Sequence, residues 1–168
     1  MAKEIIQDSS KLMSSFASFP TVLVTCQENI ITVTLIHIVS FLPPLLGIGI
    51  KPERYSYGLI KEAKEFVVNI PTKDLLKPTI FCGAKSGKVL DKFKEAGLTK
   101  QDSLSVKTKS VKECPVNIEC KVVQELVTGD RTWFVGEIVN GRIADDYKIE
   151  DSIQYWRGVY RLPGNILK

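Results

Sequence analysis

Short runs of β-branched and apolar residues recur along the chain and predict a protein built mainly of strands. The predicted strands cover residues 21–26, 30–36, 45–50, 66–70, 116–127, 133–143 and 155–162. Turn signals separate several of these runs: Gln27-Glu28-Asn29, Pro43-Pro44 and Thr128-Gly129-Asp130. Residues 101–113 are polar and predict a long loop or an edge strand.

Helical spacing of apolar residues interrupts the strand pattern at four places. Residues 5–16 predict an opening helix that Phe19-Pro20 ends, and residues 59–66 predict a second helix with Ser56 as its N-cap. A helical region at 75–81 precedes a helix at 89–96, which Gly97 terminates. Because strands outnumber helices and most neighbouring strands have short connections, the pattern favours a closed antiparallel β-barrel with helical insertions. We expect one domain over residues 1–168, with an N-terminal helix and a C-terminal extension.

The composition is that of a globular protein holding a small anionic ligand. The 168 residues are 44% hydrophobic and 25% charged, which excludes disordered and collagen-like chains. The formal net charge of +4 is low for a nucleic-acid binder, so a nucleic-acid partner is not favoured. The uncharged stretch 29–50 contains Pro43-Pro44 and several polar residues, and it favours two buried strands over a membrane span.

Four cysteines and one histidine provide few candidates for metal or nucleophilic chemistry. Cys26, Cys82, Cys114 and Cys120 form no C-x-x-C pair, so we expect no metal site. Because the amino terminus lacks the apolar core of a signal peptide, we expect a cytoplasmic protein with reduced thiols. His37 lies among apolar residues, where a partly buried histidine is the simplest interpretation. No catalytic constellation is predicted.

Two segments have the chemistry of an anion site. Residues 83–89 (GAKSGKV) lack the spacing and the hydroxyl of a phosphate-binding P-loop, yet Gly83, Ser86, Gly87 and Lys88 still make an anion-contacting corner. A solvated loop is the alternative. Arg54 and Ser56 precede a helix and form a second corner, for which an exposed arginine and an ordinary cap are the alternative.

Taken in order, the motifs resemble the flavin reductase-like family, and most closely its flavoredoxin-like members from anaerobic bacteria and archaea. The segments that carry the resemblance are NIIT from Asn29, VSFLPPL from Val39, RYSY from Arg54, EFVVNIP from Glu65, Cys82-Gly83 with Ser86-Gly87, Asp91-Lys92-Phe93, Ile118-Glu119-Cys120 and FVGE from Phe134. Together they cover nearly the whole chain after the first helix.

The resemblance implies an FMN-binding split barrel that forms a homodimer with the flavin close to the subunit interface. It implies an FMN-dependent oxidoreductase whose electron donor is NADH, NADPH or a redox protein partner. Hydride transfer to a flavin is the cofactor's own chemistry, so such an enzyme needs neither triad nor metal. The implied FMN-binding residues are Asn29, Thr32, Val33, Thr34, Ser40, Arg54, Tyr55, Ser56, Cys82, Gly83, Ser86, Gly87 and Lys88.

Two features leave alternatives open. The branched stretch 33–37 (VTLIH) departs from the small or aromatic residues that often follow N-x-x-T in the family, which bears on the donor site more than on FMN binding. Trp156-Arg157 and Tyr160-Arg161 interleave aromatic and basic residues as single-strand nucleic-acid binders do. A non-catalytic flavin carrier or a basic single-strand-binding barrel is therefore the alternative function.

Overall fold

The computed structural model describes Met1, residues 3–164 and Ile166. The strands are β1 (Phe19–Pro20), β2 (Val22–Cys26), β3 (Asn29–Val33), β4 (Ile36–Phe41), β5 (Pro44–Ile50), β6 (Glu65–Ile70), β7 (Lys100–Gln101), β8 (Ser110–Val111), β9 (Val116–Thr128), β10 (Arg131–Ile143), β11 (Gln154–Trp156) and β12 (Val159–Arg161). The helices are α1 (Ser9–Met13), α2 (Tyr55–Ala63), α3 (Leu76–Ala84) and α4 (Lys92–Glu95), with short 3-10 helices at Lys73–Leu75 and Ile149–Asp151.

Seven strands form one antiparallel sheet in the order β3-β2-β6-β9-β10-β5-β4. Its edge strands β3 and β4 are consecutive in the chain and are separated only by Thr34 and Leu35. The sheet must therefore curl until its edges approach each other. At this point the Gly49 backbone N–H donates to the Leu35 carbonyl at 2.8 Å. The predicted antiparallel barrel with helical insertions is confirmed.

Apolar residues fill the barrel on the inside and bind the helices on the outside. Phe66, Phe134 and Ile48 are fully buried in the interior cluster. Leu23 and Ile30 point the other way and pack with Phe93 and Cys82 beneath α3 and α4. Successive side chains of β2 point alternately into these two clusters, so both faces of the strand are buried. The helices are thereby held against β3, where the candidate site lies.

The uncharged stretch 29–50 folds as strands. It forms β3, β4 and β5, with the turn between β4 and β5 at Leu42 and Pro43. In the described part of the chain, none of the helices combines the length and the apolar character that a bilayer crossing demands.

Several element boundaries differ from the sequence-based predictions. The opening helix is only the five residues of α1, and Phe19-Pro20 forms β1. The run 30–36 is not one strand, because β3 ends at Val33 and β4 begins at Ile36. The final strand is instead a hairpin, β11–β12, which joins β1 in a small three-stranded sheet. The helix at 89–96 shortens to α4, capped by the Asp91 carboxylate and terminated, as predicted, by Gly97 at φ +67°.

The prediction that Ser56 is the N-cap of α2 was wrong. Arg54 occupies the cap position, and Ser56 lies in the first turn with its side chain buried. The helix thus starts earlier than its apolar face indicates.

Close packing at Gly136 gives a test of the barrel interior. A Cβ at this position would lie 2.7 Å from Phe66 Cζ and 2.8 Å from Cys120 Cβ, and both neighbours are buried. We expect Gly136→Ala to lower the free energy of unfolding by about 1–3 kcal/mol through overpacking, as measured by urea denaturation. Gly58→Ala is the matched control, because nothing lies within 4 Å of its Cβ and alanine favours the helix interior by about 1 kcal/mol. Unchanged stability of the Gly136 variant would contradict this packing.

Candidate functional site

Two adjoining cavities lie where β3 meets the start of α2 and the end of α3. The large cavity, of about 460 Å³, follows residues 31–35, which are the end of β3 and its connection to β4. The polar cavity, of about 190 Å³, is lined by Asn29, Ser56, Lys92 and residues 82–87, which are the end of α3 and the loop after it. Ile31, Arg54 and Gly83 line both cavities, so the two are continuous.

The two predicted anion-contacting corners converge on the polar cavity. Arg54 and Tyr55 reach it from the beginning of α2, and Ser86 and Gly87 reach it from the loop after α3. The corners are about thirty residues apart in sequence, and they are brought together because α3 packs against β3. The arrangement places backbone amides, a guanidinium and hydroxyls around one concave space, which suits an anion.

A buried lysine lines the polar cavity between β3 and α3. Lys92 on α4 is only 4% exposed, and its ammonium donates to the Ile30 carbonyl at 2.7 Å and the Cys82 carbonyl at 2.8 Å. Burial lowers the pKa of Lys92, and the nearby Arg54 guanidinium lowers it further. An anion in the polar cavity would favour the charged form of this side chain.

Lys92 was missed as a site residue, although the sequence holds a signal for it. Val89, Lys92 and Ala96 follow the i, i+3, i+7 spacing of the apolar face that predicted this helix. A lysine on such a face is either misplaced in the pattern or buried with partners. Here it is buried with partners.

Asn29 and Gly87 make the tightest contact in the polar cavity. The Asn29 side chain is buried, and its Nδ2 donates to Ser56 Oγ at 2.7 Å. A Cβ at position 87 would lie 1.9 Å from Asn29 Oδ1, so only glycine lets the loop pass here. Asn29 Oδ1 itself accepts no hydrogen bond from the described residues. A buried acceptor without a partner is costly, and it fits a ligand that brings a donor.

The large cavity combines an apolar wall with a cationic mouth. Ile31, Leu35 and Ile50 contribute apolar surface from the barrel, and Met13 and Trp156 add more from the terminal segments. At the mouth the Lys51 ammonium lies 3.0 Å from the Asp130 carboxylate, and this contact lowers the pKa of Asp130. Such a cavity suits a flat, largely apolar ring.

The predicted residues of β3 line the large cavity. Thr32, Val33 and Thr34 all contribute to its surface. Thr32 Oγ1 also donates to the Thr79 carbonyl at 2.5 Å, which fixes β3 against α3. Gly83 packs on the same threonine, since a Cβ there would lie 3.2 Å from Thr32 Cβ.

Two of the predicted residues lie elsewhere. Ser40, on β4, lines an apolar groove of about 690 Å³ together with His37 and Phe19, rather than either cavity of the site. Lys88 also lines neither cavity; its backbone N–H donates to Ser86 Oγ, and its side chain is exposed. The lysines that reach the polar cavity from this part of the chain are Lys85 and Lys92.

The aromatic and basic residues near the carboxyl terminus contact the site and the N-terminal segment. Trp156 lines the large cavity, whereas Arg157 donates to the Ser10 carbonyl and Arg161 to the Ala17 carbonyl. These two exposed arginines tie the N-terminal segment to the β11–β12 hairpin.

The thiols near the site are buried and protonated. Burial raises the pKa of both Cys26 and Cys82 to about 11. The nearby Lys92 ammonium opposes this shift without cancelling it. A thiol with such a pKa is a poor nucleophile at neutral pH.

Comparison with known proteins identifies the architecture. Residues 13–162 match the family model described as flavin reductase like domain. The chain belongs to the flavin reductase-like family. An uncharacterized protein of Archaeoglobus fulgidus is 45% identical over 122 residues, which make up 73% of this chain and 69% of that protein.

Solved structures of the same fold superpose closely. A flavoredoxin of Desulfovibrio vulgaris has a TM-score of 0.87 at 23% identity, covering 99% of this chain and 96% of that chain. An FMN-binding protein of Thermus thermophilus with bound p-hydroxybenzaldehyde has a TM-score of 0.87 at 18% identity, covering 100% and 99%. At these identities the likeness shows the fold, a flavin reductase-like split barrel. Family membership supports a flavin-related redox function.

Proposed function

We propose that this protein binds FMN across the two cavities and acts as an oxidoreductase that passes hydride or electrons from a donor to an acceptor. The observation that carries the proposal is the convergence of Arg54, the loop at Gly83–Gly87 and the buried Lys92 on one polar cavity, continuous with an apolar cavity along β3. FMN has the same division into a charged tail and a flat ring.

The polar cavity would hold the phosphate. A phosphate monoester carries about two negative charges at neutral pH. Arg54, Lys85 and Lys92 line the cavity with positive charge, and Glu53 is its one acidic residue among those described. The amides of the first turn of α2 and of the loop near Gly87 add donors, while Asn29 Oδ1 is an acceptor for a ribityl hydroxyl.

The large cavity would hold the flavin ring. Ile31, Val33 and Leu35 would contact its apolar surface, and Thr34 would offer a hydroxyl at its edge. When bound, the flavin supplies the hydride- or electron-accepting chemistry. The chain's own part is to orient the ring, to exclude water with the Met13 and Trp156 side chains, and to stabilise negative charge with Lys51 and Arg131 at the mouth.

A homodimer completes this proposal, because β4 presents apolar side chains at a sheet edge. Phe41 is 84% exposed and Leu42 is 92% exposed, and Ile38 and Val39 are also exposed beside them. Exposed apolar patches on an edge strand mark interaction surfaces. Since β4 follows directly after Thr34 and Leu35, an interface on β4 would place the flavin close to the partner subunit.

We further infer a cytoplasmic setting, with NADH, NADPH or a redox protein as the electron donor. The four cysteines are free and buried, as thiols in a reducing compartment are. The cationic residues at the mouth of the large cavity, Lys51 and Arg131, are suited to an anionic donor.

The first test is whether the purified protein is yellow, releases FMN on denaturation, and is reduced by a nicotinamide nucleotide. We expect bound flavin to lose its visible absorption on anaerobic addition of NADH or NADPH. If the colour is retained with both nucleotides, either the donor is a reduced redox protein or the chain is a flavin carrier. Adding a reduced ferredoxin-type protein then distinguishes the two, because only the first predicts loss of colour. A colourless protein that binds no added FMN would refute the proposal.

The second test uses the pH dependence of FMN binding to distinguish the contribution of Lys92 from that of Arg54. Each is expected to strengthen FMN binding by about 1.5–3 kcal/mol, as hydrogen bonds to charged groups do, so Lys92→Met and Arg54→Ala should each raise the Kd about 10- to 150-fold. Because burial lowers the pKa of Lys92 and a bound anion raises it again, FMN affinity should fall as pH rises above the lowered value. Lys92→Met should abolish that fall, whereas Arg54→Ala should retain it, since arginine stays charged.

Fluorescence titration at several pH values measures both effects. The matched control is Lys94→Met, which alters an exposed lysine on the same helix and should leave the Kd unchanged. A pH profile that is identical in wild type and Lys92→Met would contradict the role given to Lys92.

The third test addresses the homodimer. We expect Phe41→Glu combined with Leu42→Glu to convert a dimer into a monomer, because two charges would be buried at the interface. Sedimentation velocity measures the change, and Ile149→Glu, at another exposed apolar residue, is the control. A wild-type monomer at micromolar concentration would count against an interface on β4.

A further inference from the structure

One exposed face of α3 and the turn after it carry lysines without acidic neighbours in the chain. Residues 75–90 contain three lysines, Lys77, Lys85 and Lys88, and no Asp or Glu. All three lysines are exposed, and none of them forms an ion pair with a residue that the structure describes. Positive charge that no paired carboxylate offsets attracts an anionic partner.

Apolar side chains accompany these lysines at the surface. Ile80 is 43% exposed, and Ala84 is exposed one turn further along the same face of α3. Val89 is 81% exposed, and its backbone N–H donates to the Ser86 carbonyl, so a tight turn keeps it close to the end of the helix. Apolar contacts beside charged ones are typical of a protein interface. We call this set the α3 surface: Lys77, Ile80, Ala84, Lys85, Lys88 and Val89.

The α3 surface lies next to the two cavities of the proposed flavin site. Thr32 Oγ1, in the wall of the large cavity, donates to the Thr79 carbonyl on α3. Gly83, at the exposed end of α3, lines both the large and the polar cavity. A helix with its side chains is about 10 Å across. A protein seated on the α3 surface would therefore be separated from the flavin site by this one helix.

We propose that the α3 surface is the docking surface of an acidic redox protein that exchanges electrons with the bound flavin. The inference rests on the proposed function and names the chemistry of its protein partner. Two reduced one-electron carriers each give up one electron, and the flavin takes up both electrons together with one proton from water. The reverse exchange oxidises the flavin, returns the proton to water and reduces two carriers.

The shape and charge of the α3 surface favour a protein over other anions. A small molecule needs a concave site that encloses it, whereas Lys77, Ile80 and Lys88 line none of the cavities described above. Nucleic-acid binding relies on many phosphate contacts, and three lysines supply few. Complexes of redox proteins bury less than about 1,200 Å² in total, and opposite charges speed their association.

The experiment mixes the FMN-loaded protein anaerobically with ferredoxin, an acidic one-electron carrier, and follows the flavin by stopped-flow absorbance. Both directions are measured: reduced ferredoxin with oxidised flavin, and reduced flavin with oxidised ferredoxin. We expect electron exchange in the favourable direction, with a second-order rate constant that falls about tenfold or more between about 0.01 M and about 1 M salt.

Two variants place an acid on the α3 surface without altering a residue of the flavin site. Lys77→Glu and Ile80→Glu should each lower the rate constant about fivefold or more at low salt. Photochemical reduction of the bound flavin needs no protein partner and should be unchanged in both. The matched controls are Lys107→Glu and Leu104→Glu, which make the same replacements at exposed residues outside the α3 surface and should leave the exchange rate unchanged.

Several results would overturn the inference. These are no electron exchange with ferredoxin in either direction, a rate that does not depend on salt, and equal losses in the surface variants and in their controls. Binding of a single-stranded oligonucleotide or of anionic lipid vesicles that Lys77→Glu abolishes, with electron exchange unaffected, would assign the surface to another partner. Failure of the protein to bind FMN would instead refute the proposed function and this inference with it.

Discussion

Only two residues, Thr34 and Leu35, connect the two edge strands of the seven-stranded sheet, and this short connection shapes the rest of the molecule. A chain that must pass from one edge to the other in two residues forces the sheet to curl. The hydrogen bond from Gly49 to Leu35 continues the pairing of β4 with β5 into this connection. The same closure brings β3 and the end of β5 onto one cavity, so barrel geometry and site geometry have a common cause.

Lys92 provides the second constraint. Removing an ammonium from water is unfavourable unless its hydrogens find acceptors, and here two carbonyls supply them. Those carbonyls belong to Ile30 on β3 and Cys82 on α3, so one side chain sets the spacing between a strand and a helix. Burying the charged ammonium is unfavourable for folding, but it gives the polar cavity a local positive potential. That is typical of sites where local stability is given up for binding.

The sequence predicted the positions of the strands better than it predicted the details of the site. Runs of β-branched residues located the barrel strands, and the turn at Gly129 and Asp130 identified the long β9–β10 hairpin. The break between β3 and β4 could not be predicted, because Thr34 and Leu35 continue the strand pattern and only barrel closure interrupts it. The resemblance to the family implied that Ser40 lies near the ring, but the break at Thr34 and Leu35 places Ser40 on β4, along the apolar groove.

At the two anion-contacting corners, the sequence indicated which types of residue would be present but not which lysine would line the polar cavity. Glycines, a serine and basic residues predicted two separate anion corners, and the resemblance to the family implied that both meet at one site, as they do at the polar cavity. Lys88 was predicted to belong to the site because it follows the glycines directly. Which lysine turns inward depends on how α4 packs against Ile30, which is a tertiary contact that no local pattern records.

The raised pKa values of Cys26 and Cys82 have a consequence for the durability of the protein. Oxidants attack the thiolate, and sulfur held as a buried thiol is attacked slowly. We therefore expect Cys82 in the wall of the polar cavity, and Cys26 behind it, to react slowly with peroxide.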